Sequence, residues 1–177
     1  MMKLLENPKT EAYHELKSLV LSSSFPWFYQ NQSTENNSIN YSNVPFYSHG
    51  ILIRPEASGY PVKNSPHADL AVKVALEILT HNNIDYYTLL RINANCLHPF
   101  KTTLSTVPHV DHPYKHRNLL LYLTDAGGDT IVEEQKHTPK EDDALLFEGL
   151  HYGQSPMENR RINIIVTFLD STIIEAY

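Results

Sequence analysis

Apolar residues recur at helical spacing twice and then switch to alternation. Ala12, Leu16, Leu19 and Val20 mark one face of a helix expected over residues 10–21. Leu70, Val72, Ala75, Leu76 and Leu79 form the buried stripe of a second helix, over 67–79. Between them Phe25-Pro26-Trp27-Phe28-Tyr29 is an aromatic cluster expected in the core, residues 31–43 are a polar loop, and residues 46–54 read as a strand. Gly59, Pro61 and Pro66 break regular structure over 56–66. From Tyr86 the period falls to two. Strands are expected at about 86–95, 106–111, 117–124, 129–134, 143–148 and 160–169, separated by turns such as Asp125-Ala126-Gly127-Gly128. The pattern predicts one domain over 1–177, with a mixed helical support region at 1–85 and a mainly β, jelly-roll-like core at 86–170.

Length and charge narrow the function classes. A chain of 177 residues fits a single core. With 14 Lys and Arg against 20 Asp and Glu the formal charge is −6, which disfavours general attraction to nucleic acid or anionic membranes. Cys96 is the single cysteine, so neither an internal disulfide nor a cysteine-built zinc site can form. No run of 18 apolar residues and no leader-like segment is visible, so a cytoplasmic location is expected. Ten histidines in so short a chain carry the chemical signal.

His-x-Asp occurs twice, at His67-Ala68-Asp69 and His109-Val110-Asp111. The first opens a helix, where positions i and i+2 diverge by about 200° and cannot meet at one ion. Asp69 reads better as a first-turn carboxylate facing the helix dipole. His109 and Asp111 fall in an extended stretch, where i and i+2 share a face. A third donor must come from elsewhere, and His151, in Leu150-His151-Tyr152-Gly153, suits it, with Gly153 leaving space at the next same-face position. Two imidazoles and a carboxylate on one face of an octahedron leave three open positions, the donor set of non-haem ferrous oxygenases. Pro113 argues against a helical zinc pair from His112 and His116, while His98, His137, His14 and His81 read as exposed.

Strand parity divides residues 160–169. Arg160, Ile162, Ile164, Val166 and Phe168 share a face to be covered by helices, and Arg161, Asn163, Ile165, Thr167 and Leu169 share the other. Arg161 therefore aims toward the histidine site, where a bound carboxylate is a fitting partner for a buried guanidinium.

His109-x-Asp111, His151 with Gly153, and Arg161 ten residues later resemble the 2-oxoglutarate/Fe(II)-dependent oxygenase superfamily, in particular its prolyl 4-hydroxylase-like branch. The resemblance spans residues 86–170. Leu119-Leu120-Leu121-Tyr122-Leu123-Thr124-Asp125, Gly128-Asp129-Thr130 and Ala144-Leu145-Leu146-Phe147-Glu148-Gly149 resemble further family segments, with Glu148 a departure from its usual Asp or Asn. It implies a double-stranded β-helix, cupin-like, with N-terminal flanking helices. It also implies Fe(II) on His109, Asp111 and His151, with 2-oxoglutarate as cosubstrate, its far carboxylate on Arg161 and Tyr122 as a second donor. The implied reaction consumes O2, with ascorbate as a candidate reductant, releases succinate and CO2, and hydroxylates a peptidyl proline or a small molecule.

Arg91, Asn93 and Asn95 share one strand face and read equally as pocket wall or as solvated surface. The segment 96–106 is a candidate lid. The competing expectation is a metal-containing jelly-roll module that binds a small acid or a partner without turnover.

Overall fold

Thr10 starts the first helix by accepting the Tyr13 amide on its hydroxyl at 3.2 Å, and α1 runs Glu11–Leu21. The second helix, α2, covers Ala68–His81, with Asp69 in its first turn and His81 in its last. Asp69 is exposed and pairs with Lys63 at 2.5 Å, so the first His-x-Asp triplet holds nothing in common. The computed structural model describes residues 1–32 and 44–171, and most of the polar loop expected at 31–43 lies outside them.

The strands are β1 (Met2–Leu5), β2 (Phe28–Gln30), β3 (Phe46–Ile53), β4 (Val62–Lys63), β5 (Thr88–Leu97), β6 (Arg117–Tyr122), β7 (Thr130–Val132), β8 (Gln135–His137), β9 (Ala144–Phe147), β10 (His151–Gly153) and β11 (Arg161–Leu169). Eight of them form one antiparallel sheet in the order β1-β9-β6-β11-β5-β3-β2, with β4 on the flank of β3. The other three form a small sheet, β10-β7-β8. This is the mainly β, jelly-roll arrangement that the alternation implied. The N-terminal half does more than supply helices: β1 pairs with β9, and β3 with β5, inside the large sheet.

β11 lies between β5 and β6, and its two faces serve different layers. Ile162, Ile164, Val166 and Phe168 pack with Ala12, Leu16, Val74 and Ile78 of the helices in the main core. Ile165 turns the other way and joins Leu120, Tyr122, Val132, Leu145 and Phe147 in a second cluster. The parity split therefore holds along the strand, although its register shifts between Thr167 and Phe168.

Several elements differ from expectation. Residues 106–111 form no ladder; only isolated bridges occur there, Ser105 with Gln154 and His109 with His151. Pro108 removes one donor, which limits pairing in that stretch. Within 56–66 a short 3-10 turn (Pro55–Ala57) and β4 are present. Cys96 and Leu97 belong to β5, so the following loop starts at His98. The aromatic cluster is split: Phe25 is buried and Trp27 packs against the core, whereas Phe28 and Tyr29 are 58% and 60% exposed on an edge strand. His98, His14 and His81 are exposed as expected. His137 is not; it sits in β8 with Nε2 3.0 Å from Asp143.

Candidate metal centre

His109 and His151 bridge each other through the backbone, with His109 N–H donating to His151 C=O at 2.9 Å and the reverse bond at 3.0 Å. That reciprocal pair brings the rings to 4.6 Å between centroids. Each ring is then turned by a carbonyl two residues back: Nδ1 of His109 donates to Val107 O at 2.9 Å, and Nδ1 of His151 donates to Gly149 O at 3.1 Å. A carbonyl only accepts, so both protons sit on Nδ1 and both Nε2 lone pairs are free for a ligand.

One donor atom from each of His109, Asp111 and His151 falls within a 4.8 Å group, with Asp111 and His151 buried. Oδ2 of Asp111 is buried without a hydrogen bond and lies 3.4 Å from Nε2 of His151. Burial pushes the Asp111 carboxyl up, but Arg91 and the surrounding imidazoles outweigh it and hold it below the usual carboxylate range. Burial lowers His151, keeping its ring neutral. Two imidazoles that turn Nε2 away from their Nδ1 hydrogen bonds, with one carboxylate oxygen left without a hydrogen bond, fit a borderline divalent ion such as ferrous iron.

The triad opens on a cavity of about 230 Å³ between the sheets, lined among others by Arg54, Arg91, Asn95, Thr130, Arg161 and Asn163. Arg161 is 4% exposed, has no ion pair among the described residues, and leaves Nε without a hydrogen bond. Its Nη1 donates to Gly128 O at 2.5 Å. Gly128 has φ +75°, and a Cβ there would meet Gln154 O at 2.5 Å, so that carbonyl is held in place by a position only glycine fills well. The space at Gly153 belongs to Arg161 rather than to the metal, because a Cβ on Gly153 would lie 2.8 Å from Nη2 of that arginine.

Tyr122 is fully buried and does not line the cavity; its hydroxyl bonds Thr130 Oγ1 at 2.6 Å, and Thr130 is the residue on the wall. Burial pushes the Tyr122 phenol up to about 12, so it is a neutral hydroxyl. Of the β5 trio, Arg91 and Asn95 line the cavity, while Asn93 sits behind and donates to Asn95 Oδ1 at 2.5 Å. His112 and His116 form no helix; His112 is buried between Glu56 and Thr167, with Nε2 2.7 Å from the threonine hydroxyl. Arg54 was not singled out by the sequence. It follows β3 far from the triad in sequence, and the fold brings it to the cavity wall, where it bonds the Asp111 carbonyl at 3.0 Å.

No protein-family model and no curated protein matches the chain. Solved structures do. An oxidoreductase of the 2OG-Fe(II) oxygenase family from Burkholderia pseudomallei has 14% identity and a TM-score of 0.65, covering 94% of this chain and 84% of its own. A prolyl hydroxylase from Trichoplax adhaerens, solved with a hypoxia inducible factor oxygen degradation domain peptide fragment, has 16% identity and a TM-score of 0.60, covering 99% and 86%. Among the described residues no helix is long and apolar enough to cross a membrane. At these identities the likeness is one of architecture: the chain has the jelly-roll fold of 2OG-Fe(II) oxygenases and prolyl hydroxylases.

Proposed function

We propose that this chain is an Fe(II)- and 2-oxoglutarate-dependent dioxygenase that hydroxylates a small molecule or a peptide. The observation that carries the reading is the meeting of two free Nε2 atoms and an unpaired carboxylate oxygen in the cavity that holds the unpaired guanidinium of Arg161. The shared fold supports it, and the peptide bound by the Trichoplax neighbour makes a peptide substrate a reasonable candidate here.

In this reading His109, Asp111 and His151 hold the iron, which with 2-oxoglutarate and O2 supplies oxidative decarboxylation to succinate and CO2 coupled to C–H hydroxylation. The protein's part is binding and exclusion. Arg161 receives the far carboxylate of 2-oxoglutarate through a charge-assisted contact. Thr130 offers a hydroxyl as a second donor there, oriented by Tyr122 behind it. Asn95 and Arg91 form the polar wall beside the substrate, and Val44, Phe46, Leu97 and Val110 line the cavity with apolar groups that limit water. Ascorbate is the proposed reductant for returning oxidised iron to the ferrous state. We place the whole chain in one functional unit, the core at 86–170 with 1–85 completing its sheet. A buried free Cys96 suits the reducing cytoplasm.

Anaerobic addition of Fe(II) and 2-oxoglutarate tests the reading. A metal-to-ligand charge-transfer band is expected, weakened at least about tenfold in 2-oxoglutarate affinity by Arg161→Ala, as loss of a buried charged contact implies. Absence of the band in the wild-type chain overturns the proposal. A band without succinate formation under O2, across amino acids and peptides, favours a binding module instead.

A further inference from the structure

The three triad residues are not held in the same way. His109 and His151 are locked by their reciprocal backbone bridge, and each ring by its own carbonyl partner. Asp111 lies beyond that bridge, in a bend, and among the described residues no main-chain group bonds its peptide. Two guanidiniums do the work of a ladder. Nη1 of Arg54 donates to the Asp111 carbonyl at 3.0 Å, and Nη1 of Arg91 donates to Oδ1 at 2.9 Å. The remaining oxygen, Oδ2, is the one left buried without a hydrogen bond and turned to His151.

A carboxylate can bind a divalent ion through one oxygen or through both. Binding through both would occupy a position beside the ion that the cosubstrate or O2 requires. A cation beside a metal site also opposes the ion electrostatically, so Arg91 is unfavourable for affinity as such. Its placement makes sense as a geometric constraint.

Resting on the metal-site reading above, we infer that Arg91 is a positioning residue: by engaging Oδ1 it confines Asp111 to ligation through Oδ2 alone and keeps the adjacent coordination position open. Arg54 fixes the peptide from which that carboxylate projects. The role differs from a substrate contact, because the atom Arg91 touches is a ligand residue's second oxygen.

Mn(II) added to the full chain, with bound waters counted by 17O-water line broadening in electron paramagnetic resonance, reads this directly. The wild-type protein should carry three waters, the complement of three protein donors on an octahedral ion. Arg91→Met should carry two and bind Mn(II) at least as tightly, because a repelling charge is gone and a second oxygen is gained. A role limited to folding predicts weaker Mn(II) binding with the water count unchanged, so three waters on the variant overturn the inference. If the variant fails to fold by circular dichroism, a crystal structure of the wild-type Mn(II) form decides: Oδ1 on Arg91 supports the inference, and both Asp111 oxygens on the ion overturn it. A wild-type chain that takes up no Mn(II) overturns the metal site and the inference together, an outcome distinct from a normal site with an unchanged count.

Discussion

Gly153 stands where any Cβ would press on Arg161, 2.8 Å from its Nη2. The distance is shorter than real Cβ contacts allow, and the guanidinium is already held on its other side by Gly128 O. Gly153→Ala should therefore leave the fold and metal uptake intact and displace Arg161. Titration with 2-oxoglutarate should show affinity reduced about tenfold or more, the equivalent of one lost charged hydrogen bond.

Tyr122 and Thr130 can be separated by substitution. Tyr122→Phe removes a buried hydroxyl bond, for a stability loss of about 1 kcal/mol in urea unfolding. Because Thr130 rather than Tyr122 faces the cavity, Thr130→Val should raise the KM for 2-oxoglutarate more than Tyr122→Phe does. The reverse order would restore a direct contact for the tyrosine.

Ile164 and Ile165 are neighbours in sequence on opposite faces of β11. Ile164→Ala empties a site that is 1% exposed in the helix-covered core and should cost about 2–5 kcal/mol. Its 2-oxoglutarate affinity in the folded fraction should be unchanged. Denaturant midpoints and ligand titration check the two halves.

Asp142 joins the N-terminal segment to the turn before β9. Tyr13 Oη donates to it at 2.7 Å, Lys17 at 2.5 Å, and Lys9 lies 3.0 Å away. Burial raises its carboxyl, but the bonds from Lys17, Tyr13 and Lys9 prevail and hold it at about 2, below the ordinary 3.8. A depressed carboxylate contributes its stability fully above the ordinary value and loses it as pH falls through about 2. Asp142→Asn keeps a residue that tolerates the positive φ of 70° while removing the charge. Stability at neutral pH should fall by about 1 kcal/mol, a value discounted for solvent screening, and the acid limb of a Tm-against-pH curve should flatten between about pH 4 and 2.

Much of this was legible from periodicity. The alternation of 160–169 separated Ile164 from Ile165 and aimed Arg161 inward because a strand's faces follow parity alone. His109 and Asp111 were found through their spacing, yet the strand invoked to align them is absent: convergence comes from one bridge to His151 and from two arginines. Long-range partners leave no local trace, so nothing local marks Arg54, and Arg91 reads equally as pocket wall or as solvated surface. The same holds for β1, β8 and β10, whose short segments are defined by what they pair with. Gly153 was marked as a gap, but which group fills a gap depends on the neighbouring strand.

The small sheet carries more than its size implies. One strand of three residues, β10, bears both an imidazole of the triad and the glycine that admits Arg161; β7 pairs it on one side, and on the other it is held by the His109 bridge and the Thr106 N–H bond to Gly153 O. Ion capture and diacid capture thus share a single hinge point, so local fraying there should extinguish both at once while the large sheet stays folded.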